Sequence, residues 1–429
     1  MASSSRHKEI LSLALPAIVA NITVPLLGLV DTAIVGHMGS ATYIGAIAVG
    51  SMIFSLVYWL FGFLRMGTSG LTAQAFGRRD AEACRALFRR SLRLALLVSL
   101  GVLVLRWPLR ELMLLLISPT DDVRPLATTY FNIVVWGSPA VLGLYALTGW
   151  YIGVQNTRMP MLVSILQNVV NIFLSLFFVY GLGMKVEGVA LGTVIAQYVG
   201  FVVALVPPAR NLRNIWQFRS LQHSPESLFS LNRDIFLRTF CLVAVNLYFT
   251  SVGAQQGATI LAVNTLLLQL YLLFSYVMDG FAYAGEALGG RYWGARDVPS
   301  FRDVVRKLFL WGVAMTLLFT TVYVVGGMPF LHLLTDTPSV VEASRGYVWW
   351  AYLIPVAGVA AFIWDGIFIG TTHSRGMLLS AALAAFVFFA GTFFLTGEMG
   401  NHGLWLSMIA YLAVRGLVQT FLYFRFVPL

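Results

Sequence analysis

Charged residues are scarce in this chain of 429 residues. Asp, Glu, Lys and Arg make up 11% of it, against about a quarter in an average soluble domain, while 59% of the residues are hydrophobic. A water-soluble fold of this composition would expose too much apolar surface. A bilayer solvates an apolar exterior if each segment satisfies its own backbone groups, as α-helices do. The composition predicts an all-α integral membrane protein.

Cysteine is rare, and the common catalytic motifs are missing. Cys84 and Cys241 lie far apart without a CxxC pair, which argues against a disulfide framework or structural zinc. The sequence contains no glycine-rich nucleotide-binding loop, HExxH or GxSxG motif. A membrane enzyme would need converging nucleophile, base or metal ligands, and none is visible. We expect no enzymatic activity, no metal and no cofactor, and energy from an ion gradient.

Apolar runs long enough to span a bilayer, about 20 residues each, fall into two sets of six. A polar stretch with prolines and arginines separates the sets. We predict an N-terminal six-helix lobe at 1–207, a cytoplasmic linker at 208–234 and a C-terminal six-helix lobe at 235–429. The twelve runs lie near 10–36, 41–66, 91–116, 127–153, 159–181, 188–207, 235–256, 259–288, 306–330, 346–370, 377–396 and 403–424.

Basic residues are distributed unevenly among the predicted loops. They cluster after even-numbered spans, so the positive-inside rule predicts that both termini are cytoplasmic. This topology accounts for the net charge of +10 without a nucleic-acid partner, because the basic residues form no single patch. The clusters are Arg78, Arg79, Arg85, Arg89 and Arg90; Arg210, Arg213 and Arg219; and Arg291, Arg296, Arg302, Arg306 and Lys307.

An internal repeat relates the two halves of the chain. Residues 75–80, AFGRRD, recur as 292–297, YWGARD, at an offset of 217 residues. Because each half has an even number of spans, the repeats are parallel and related by a pseudo-two-fold axis along the membrane normal. This arrangement predicts a cavity that opens alternately to either side, as in a transporter. Gly149, Gly153 and Arg158 recur at the same offset as Gly366, Gly370 and Arg375.

Four acidic residues, Asp31, Asp279, Glu286 and Asp365, lie within or near the end of apolar runs. Each costs roughly 2.5–3.5 kcal/mol on insertion scales, so each is a candidate functional residue. The alternative is an acid that is protonated or caps a helix end, which applies most to Glu286, where the span ends toward Arg291. None of the four has an acidic counterpart in the repeat.

The first span contains Asp31 together with Pro16 and Pro25, and prolines permit a helix to bend. A carboxylate shielded from water can take up a proton near neutral pH. The change of charge can then favour one helix shape over another. We therefore interpret Asp31 as the centre of a proton-coupled switch.

Other polar residues in the spans have two readings each. Asp279 and Asp365 lie beside aromatic residues, which suits an organic cation, although such aromatics also pack or face lipid. Asn168 and Asn171 could hold helices together or line a hydrated path. Arg415 could extend to the interface or pair with an acid.

Several motifs carry a family resemblance. At 30–37, VDTAIVGH, and at 75–80, the chain resembles the multidrug and toxic compound extrusion (MATE) family. The resemblance extends across both halves and is closest to the DinF branch. The segments that carry the DinF likeness are 153–155, GVQ, 278–284, MDGFAYA, 364–366, WDG, and 400–405, GNHGLW.

The resemblance implies twelve helices in two lobes. It also implies efflux of amphipathic, often cationic, organic compounds or toxins in exchange for protons or sodium ions. In relatives, the aspartate matching Asp31 takes part in ion coupling and the proline matching Pro16 marks a helix bend. The residues matching Tyr130, Asn171 and Thr193 lie around the same polar pocket.

One departure from the family bears on the coupling ion. Some DinF-like relatives carry a second aspartate four residues after the position of Asn171, where this chain has Ser175. One carboxylate binds sodium less firmly than two, so we expect proton coupling, with sodium as the alternative. A second alternative, a lipid or glycan-precursor flippase, would need several basic residues in its cavity, and Arg415 is the only clear candidate.

Together these observations predict a secondary antiporter in the bacterial inner membrane. We expect it to be a monomer that exports small amphipathic compounds and binds no nucleic acid. Asp31, Asn171, Thr193 and Tyr130 are the predicted ion-coupling residues. The remaining acids, Asp279, Glu286 and Asp365, are candidates for substrate contact.

Overall fold

The computed structural model describes residues 2–36, 41–211, 225–335 and 337–426, which are helical almost throughout. These residues contain no strand, which confirms the all-α prediction. The helices are α1 (Ala2–Gly36), α2 (Ala41–Leu60), α3 (Phe63–Gly77), α4 (Ala81–Val104), α5 (Arg106–Ile117), α6 (Arg124–Val134), α7 (Ser138–Gly153), α8 (Arg158–Leu176), α9 (Val186–Asn211), α10 (Pro225–Gln255), α11 (Ala258–Ala284), α12 (Gly290–Gly294), α13 (Val298–Leu334), α14 (Pro338–Gly370), α15 (Ser374–Met399) and α16 (Asn401–Phe426). A 3-10 turn, Val135–Gly137, joins α6 to α7, and π-helical turns follow α8 at Phe177–Gly181 and α11 at Gly285–Gly289.

The long helices match the predicted membrane spans. Within the described residues, 10 helical segments are long and apolar enough to cross a membrane, and the number is 11 if α4 and α5, which are bent by 70° at their junction, are counted as one span. With α1, which is 35 residues long, they account for the twelve predicted spans. Large apolar side chains such as Leu115, Leu333 and Phe393 are 72%, 81% and 76% exposed, as expected for surfaces that contact lipid.

The chain divides into two compact units. The first, here called the N-unit, is Val19–Pro225, and the second, the C-unit, is Met1–Ile18 together with Glu226–Leu429. The first eighteen residues thus group with the second half, whereas the lobes predicted from the sequence follow chain order. Helices also enter both ends of the predicted linker at 208–234, since α9 ends at Asn211 and α10 begins at Pro225. The middle of the linker, 212–224, lies outside the described residues.

The internal repeat is visible in the backbone. Arg79 and Arg296 have positive φ angles of 59° and 57°, and so do Gln155 and Thr372, at 65° and 59°. Each pair is separated by the repeat offset of 217 residues. Positive φ is uncommon for residues other than glycine. Its recurrence at equivalent positions shows that the two halves share a local backbone design.

The repeat also preserves a helix cap. The side chain of Asp80 accepts a hydrogen bond from the backbone N–H of Ala83 at 2.8 Å, at the start of α4. At the equivalent place, Asp297 accepts from the N–H of Ser300 at 3.1 Å and begins α13. A carboxylate at this position satisfies an N–H group that has no partner within the helix. The recurring GRRD and GARD motifs therefore begin equivalent helices.

Close helix packing recurs at the repeated glycines. A Cβ atom on Gly149 would overlap the carbonyl oxygen of Arg65, so α7 contacts α3 backbone to backbone. On Gly366 it would overlap the carbonyl oxygen of Ala282, which shows that α14 lies equally close to α11. Only glycine permits such an approach. The same crossing is therefore built into each unit.

Candidate functional site

The first helix carries two of the predicted site residues. Pro16 and Asp31 both lie in α1, which the structure describes as one helix from Ala2 to Gly36. The boundary between the units falls between Ile18 and Val19, shortly after Pro16. The side chain of Asp31 lies outside the described part of the structure, so its place is given by the backbone of α1.

Hydrogen bonds hold α8 beside the second part of α1. The amide of Asn168 donates to the carbonyl oxygen of Thr23 at 2.9 Å, and the Thr23 and Ser164 hydroxyls are 2.9 Å apart. Further along, the Tyr180 hydroxyl donates to the carbonyl oxygen of Ile34 at 3.1 Å. The bonds to Thr23 and Ile34 span 145 and 146 positions, so the two segments run parallel and in step. Asn168 thus serves as a link between helices, one of its two predicted roles.

A small set of buried polar atoms lies along the same stretch of α8. The amide nitrogen of Asn171 donates to Thr193 Oγ1 at 3.0 Å, and the Thr193 hydroxyl donates to the carbonyl oxygen of Val189. Asn171 and Ser175, one helical turn apart, are 1% and 0% exposed. Asn171 Oδ1 and Ser175 Oγ have no hydrogen-bond partner among the described residues. An oxygen buried in this way costs free energy unless water, a proton donor or a cation reaches it.

The alignment of α1 with α8 relates Asp31 to these oxygens. An offset of 145 or 146 positions places the Asp31 backbone at the level of Leu176 and Phe177, directly after Ser175. The structure thus brings Asn171 and Thr193 into contact and places the Asp31 backbone level with the end of α8, just after Ser175. Tyr130 is buried and packs its ring closely against Gly50 of α2.

Asp365 in the C-unit is held by basic side chains. Its Oδ2 atom accepts hydrogen bonds from Arg238 and, at 2.6 Å, from Arg415. Its Oδ1 atom accepts from the Gln419 amide at 2.7 Å. All four side chains are buried, and they join α10, α14 and α16. Of the two alternatives for Arg415, pairing with an acid is the correct one.

These bonds change the interpretation of Asp365. The sequence suggested a carboxylate open to an organic cation beside aromatic residues. Instead, both of its oxygens already accept from protein donors, and two guanidinium groups lie beside it. A cationic substrate would have to compete with two permanent positive charges. The carboxylate is therefore part of an ion cluster, here called the Asp365 cluster, that consists of Asp365, Arg238, Arg415 and Gln419.

The other two acids of the C-unit lie near one another in sequence. Asp279 is half-buried near the end of α11, and Glu286 is 1% exposed within the π-helical turn Gly285–Gly289. Such turns are frequent at functional sites. Glu286 lies against α14, since a Cβ atom on Gly370 would be 2.6 Å from its carbonyl oxygen.

Sequence reasoning missed Arg238 as a partner. It lies just inside a predicted span, beside the basic linker, and is separated from Asp365 by 127 positions. A basic residue inside an apolar run was the available signal, as it was for Arg415. Among the described residues, no group of three or more His, Cys, Asp and Glu side chains could hold a metal ion.

Comparison with known proteins identifies the family. A family profile described as MatE matches residues 16–177 and 235–391. DNA damage-inducible protein F of Escherichia coli K12 is 38% identical over 423 residues, covering 96% of this chain and 91% of that protein. The chain belongs to the MATE family. The predicted likeness to the DinF branch is thereby confirmed.

Other MATE proteins are similar over nearly the full length. The probable multidrug resistance protein NorM of Thermotoga maritima is 23% identical over 447 residues, covering 96% of this chain and 91% of that protein. A crystal structure of MATE in the bent conformation matches with a TM-score of 0.87 at 19% identity, covering 98% of this chain and 95% of the other. The bent form of VcmN from Vibrio cholerae gives 0.85 at 18% identity, covering 99% and 97%. These structures confirm the fold.

Family membership establishes the general activity. This MATE transporter is a multi-pass membrane protein of multidrug and toxin efflux, and it is not an enzyme. The buried polar atoms of the N-unit and the Asp365 cluster of the C-unit therefore have to be understood as parts of a transporter.

Proposed function

We propose that this MATE transporter exports amphipathic, cationic organic compounds in exchange for protons. We place it in the bacterial inner membrane with both termini in the cytoplasm. The observation that carries the coupling proposal is the pair of partnerless oxygens, Asn171 Oδ1 and Ser175 Oγ, on the stretch of α8 level with Asp31. Buried polar atoms in proteins are usually hydrogen-bonded, so two neighbouring acceptor oxygens without a partner among the described residues suit a site whose occupant changes during a cycle.

In this mechanism Asp31 carries the transported proton. An ionised carboxylate in the membrane interior is unfavourable, so it takes up a proton readily when it is shielded from water. Asn171 and Thr193 supply polar contacts on the adjoining helices, and Tyr130 completes the proposed set. The bonds from Asn168 to Thr23 and from Tyr180 to Ile34 fix α1 on both sides of Asp31. Proton uptake then acts on the part of α1 between Thr23 and Ile34, which is hydrogen-bonded at both ends. Pro16, earlier in the same helix, is the proposed position of the bend.

The oxygen set favours a proton over sodium. Ser175 contributes a neutral hydroxyl where some relatives have a second carboxylate. Asp31 would be the only charged ligand of a sodium site here. The other ligands would be neutral oxygens, which bind a cation less firmly than a second carboxylate does. Asn171 Oδ1 and Ser175 Oγ could still ligate sodium, and this makes sodium coupling the alternative to test.

We assign substrate contact in the C-unit to Asp279 and Glu286. Asp365 is a weaker candidate because Arg238 and Arg415 surround it. The same pairing argues against a flippase for anionic head groups. Such a protein needs basic side chains that are open to the substrate, whereas these two already share one carboxylate.

Transport by reconstituted protein tests the proposal. Vesicles containing the native protein, Asp31→Asn or the control Glu342→Gln receive a proton or a sodium gradient, and uptake of a fluorescent organic cation is followed. Glu342 is an exposed acid paired with Arg345, so its replacement preserves the interior. We expect proton-driven transport by the native protein and the control, and its loss in Asp31→Asn. Gradient-driven transport by Asp31→Asn would refute the role of Asp31. Transport by the native protein that is driven only by a sodium gradient would show that sodium, and not the proton, is the coupling ion.

A further inference from the structure

The amino-terminal turn of α1 is bound to the C-unit through Arg6. Its guanidinium group donates to Glu9 at 2.8 Å, to Asp303 at 3.4 Å and to Ser300 at 3.3 Å. It also donates to the Tyr292 hydroxyl and lies over the Tyr292 ring, 4.5 Å from its centre. Donors on all three guanidinium nitrogens are therefore used, and the arrangement matches the planar fork of arginine better than a lysine ammonium.

Further charged groups extend this arrangement. The Tyr292 hydroxyl lies 3.4 Å from Glu9 Oε2, and Lys307 donates to Asp303 at 2.9 Å. Lys307, Asp303, Arg6 and Glu9 thus form a row of alternating charges. The Tyr292 ring lies beside Arg6, and the guanidinium group of Arg291 is 5.2 Å from the centre of that ring. The side chains of Arg6 and Lys307 are only 17% and 10% exposed, so solvent screens their hydrogen bonds less than those of a surface pair.

Two further contacts fix the same part of α1. The Trp311 indole N–H donates to Nδ1 of His7 at 3.1 Å. Further along α1, Ala14 packs against Gly280 of α11. A Cβ atom added to Gly280 would lie 2.9 Å from the carbonyl oxygen of Ala14. The first turns of α1 are therefore packed and hydrogen-bonded to α11, α12 and α13, which explains why residues 1–18 group with the C-unit.

We propose that Arg6 is a positioning residue that keeps residues 2–18 of α1 as a fixed part of the C-unit during transport. Its role in transport rests on the coupling function proposed for Asp31, which lies later in the same helix. Because α1 continues past Ile18 into the N-unit, a change of helix shape at Asp31 acts on an anchored end. Without these contacts, the first turns of α1 would be free to move. A change of helix shape at Asp31 would then move those turns and would not be transmitted to the C-unit.

Spin labels measure the anchoring itself. Cysteines placed at Leu15 and Leu310, both more than half exposed and both in the C-unit, carry the labels after Cys84 and Cys241 are changed to serine. We expect a narrow distance distribution in native protein, a broad one in Arg6→Gln, and partial recovery in Arg6→Lys. Arg306→Gln is the control, since Arg306 is exposed on α13 and forms no described contact with α1. An unchanged distribution in Arg6→Gln would refute the anchor.

Transport kinetics measure the effect of the Arg6 anchor on transport. We expect Arg6→Gln to lower the maximal rate of proton-driven transport about tenfold, the equivalent of about 1.4 kcal/mol, with an unchanged KM. Arg6→Lys should recover part of the rate, and Arg306→Gln should match the native protein. A rise in KM at constant maximal rate, or native transport by Arg6→Gln despite a broadened distribution, would overturn the positioning role.

The two proposals fail in different ways. If Asp31→Asn retained gradient-driven transport, the coupling assignment would be lost, but the distance distribution of Arg6→Gln would still decide whether α1 is anchored. If Asp31→Asn lost transport and Arg6→Gln kept both transport and a narrow distribution, coupling would stand and the anchor would be excluded.

Discussion

The two units place their polar residues differently within a shared frame. The N-unit has Asn171 and Thr193 in α8 and α9, and 217 positions later the C-unit has Phe388 and Ala410. The C-unit in turn has Asp365 where the N-unit has Thr148. The cap and glycine crossings recur in both units, whereas the asparagine–threonine pair of the N-unit and the acid of the C-unit do not. The duplicated part is the scaffold, and the chemistry has diverged.

The two polar sets also differ in charge and in what the acceptor oxygens contact. In the C-unit, both oxygens of Asp365 accept hydrogen bonds from charged or amide donors. In the N-unit, buried oxygens of Asn171 and Ser175 have no partner within the described chain. A buried charge cluster resists change because removal of one member leaves the others uncompensated. A neutral set with free acceptor oxygens can gain and lose a cationic occupant at smaller cost, which suits ion coupling.

The largest expected effect comes from breaking the Asp365 cluster. Asp365→Asn leaves Arg238 and Arg415 buried without their carboxylate, which should lower the free energy of unfolding by about 3–5 kcal/mol. Denaturant titration of the purified protein in micelles measures this difference. The control Glu342→Gln breaks an exposed pair and should cost less than about 1 kcal/mol. Equal losses in the two variants would show that the cluster is not a structural charge centre.

A second test compares the glycine crossings. Gly149→Ala and Gly366→Ala each force a Cβ atom against a carbonyl oxygen of the neighbouring helix, so each should cost about 1–3 kcal/mol in unfolding free energy. Gly326→Ala is the control, because a Cβ atom added there would have no described atom within 4 Å. Alanine is the better helix former, so that variant should be neutral or slightly more stable. A large difference between Gly149→Ala and Gly366→Ala would mean that the two crossings differ in energy despite their common geometry.

Much of this frame could be predicted from the sequence. Apolar runs predicted the spans because a membrane helix must be long and apolar. The GRRD and GARD motifs revealed the repeat because each motif begins a helix in the same way. The family resemblance selected Asn171 and Thr193, which the structure brings into contact. These features are local or recur at a constant offset.

Partners that are distant in the chain could not be predicted in this way. Arg238 and Arg415 lie 127 and 50 positions from Asp365, and Arg6 lies 297 positions from Asp303. Hydropathy shows that such residues are unusual in or beside a span, but not which helices pack together. For the same reason, the sequence alone suggested that the Asp365 carboxylate is available to a cationic substrate. Only the packing of α10 and α16 against α14 shows that its oxygens are occupied.

A third test concerns the repeated helix caps. Asp80→Ala and Asp297→Ala each remove the acceptor for a backbone N–H at the start of α4 or α13, and each should cost about 1 kcal/mol, within a range of about 0.5–2. Asparagine preserves an acceptor, so Asp80→Asn and Asp297→Asn should retain most of the stability. Unfolding free energies of the four variants measure both comparisons. If asparagine is as costly as alanine, the carboxylates act through charge rather than as caps.

The smallest expected effect distinguishes the units most sharply. Ser175 in α8 and Thr392 in α15 are equivalent in the repeat, both are buried, and both hydroxyl oxygens lack a partner within the described residues. Only Ser175 lies one turn from an asparagine, because Phe388 occupies the equivalent place beside Thr392. If the N-unit alone holds the coupling ion, Ser175→Ala should slow proton-driven dye transport about two- to tenfold, the value of one neutral hydrogen bond, while Thr392→Val should not change it. Equal slowing in both variants would place ion coupling in both units and remove the functional asymmetry.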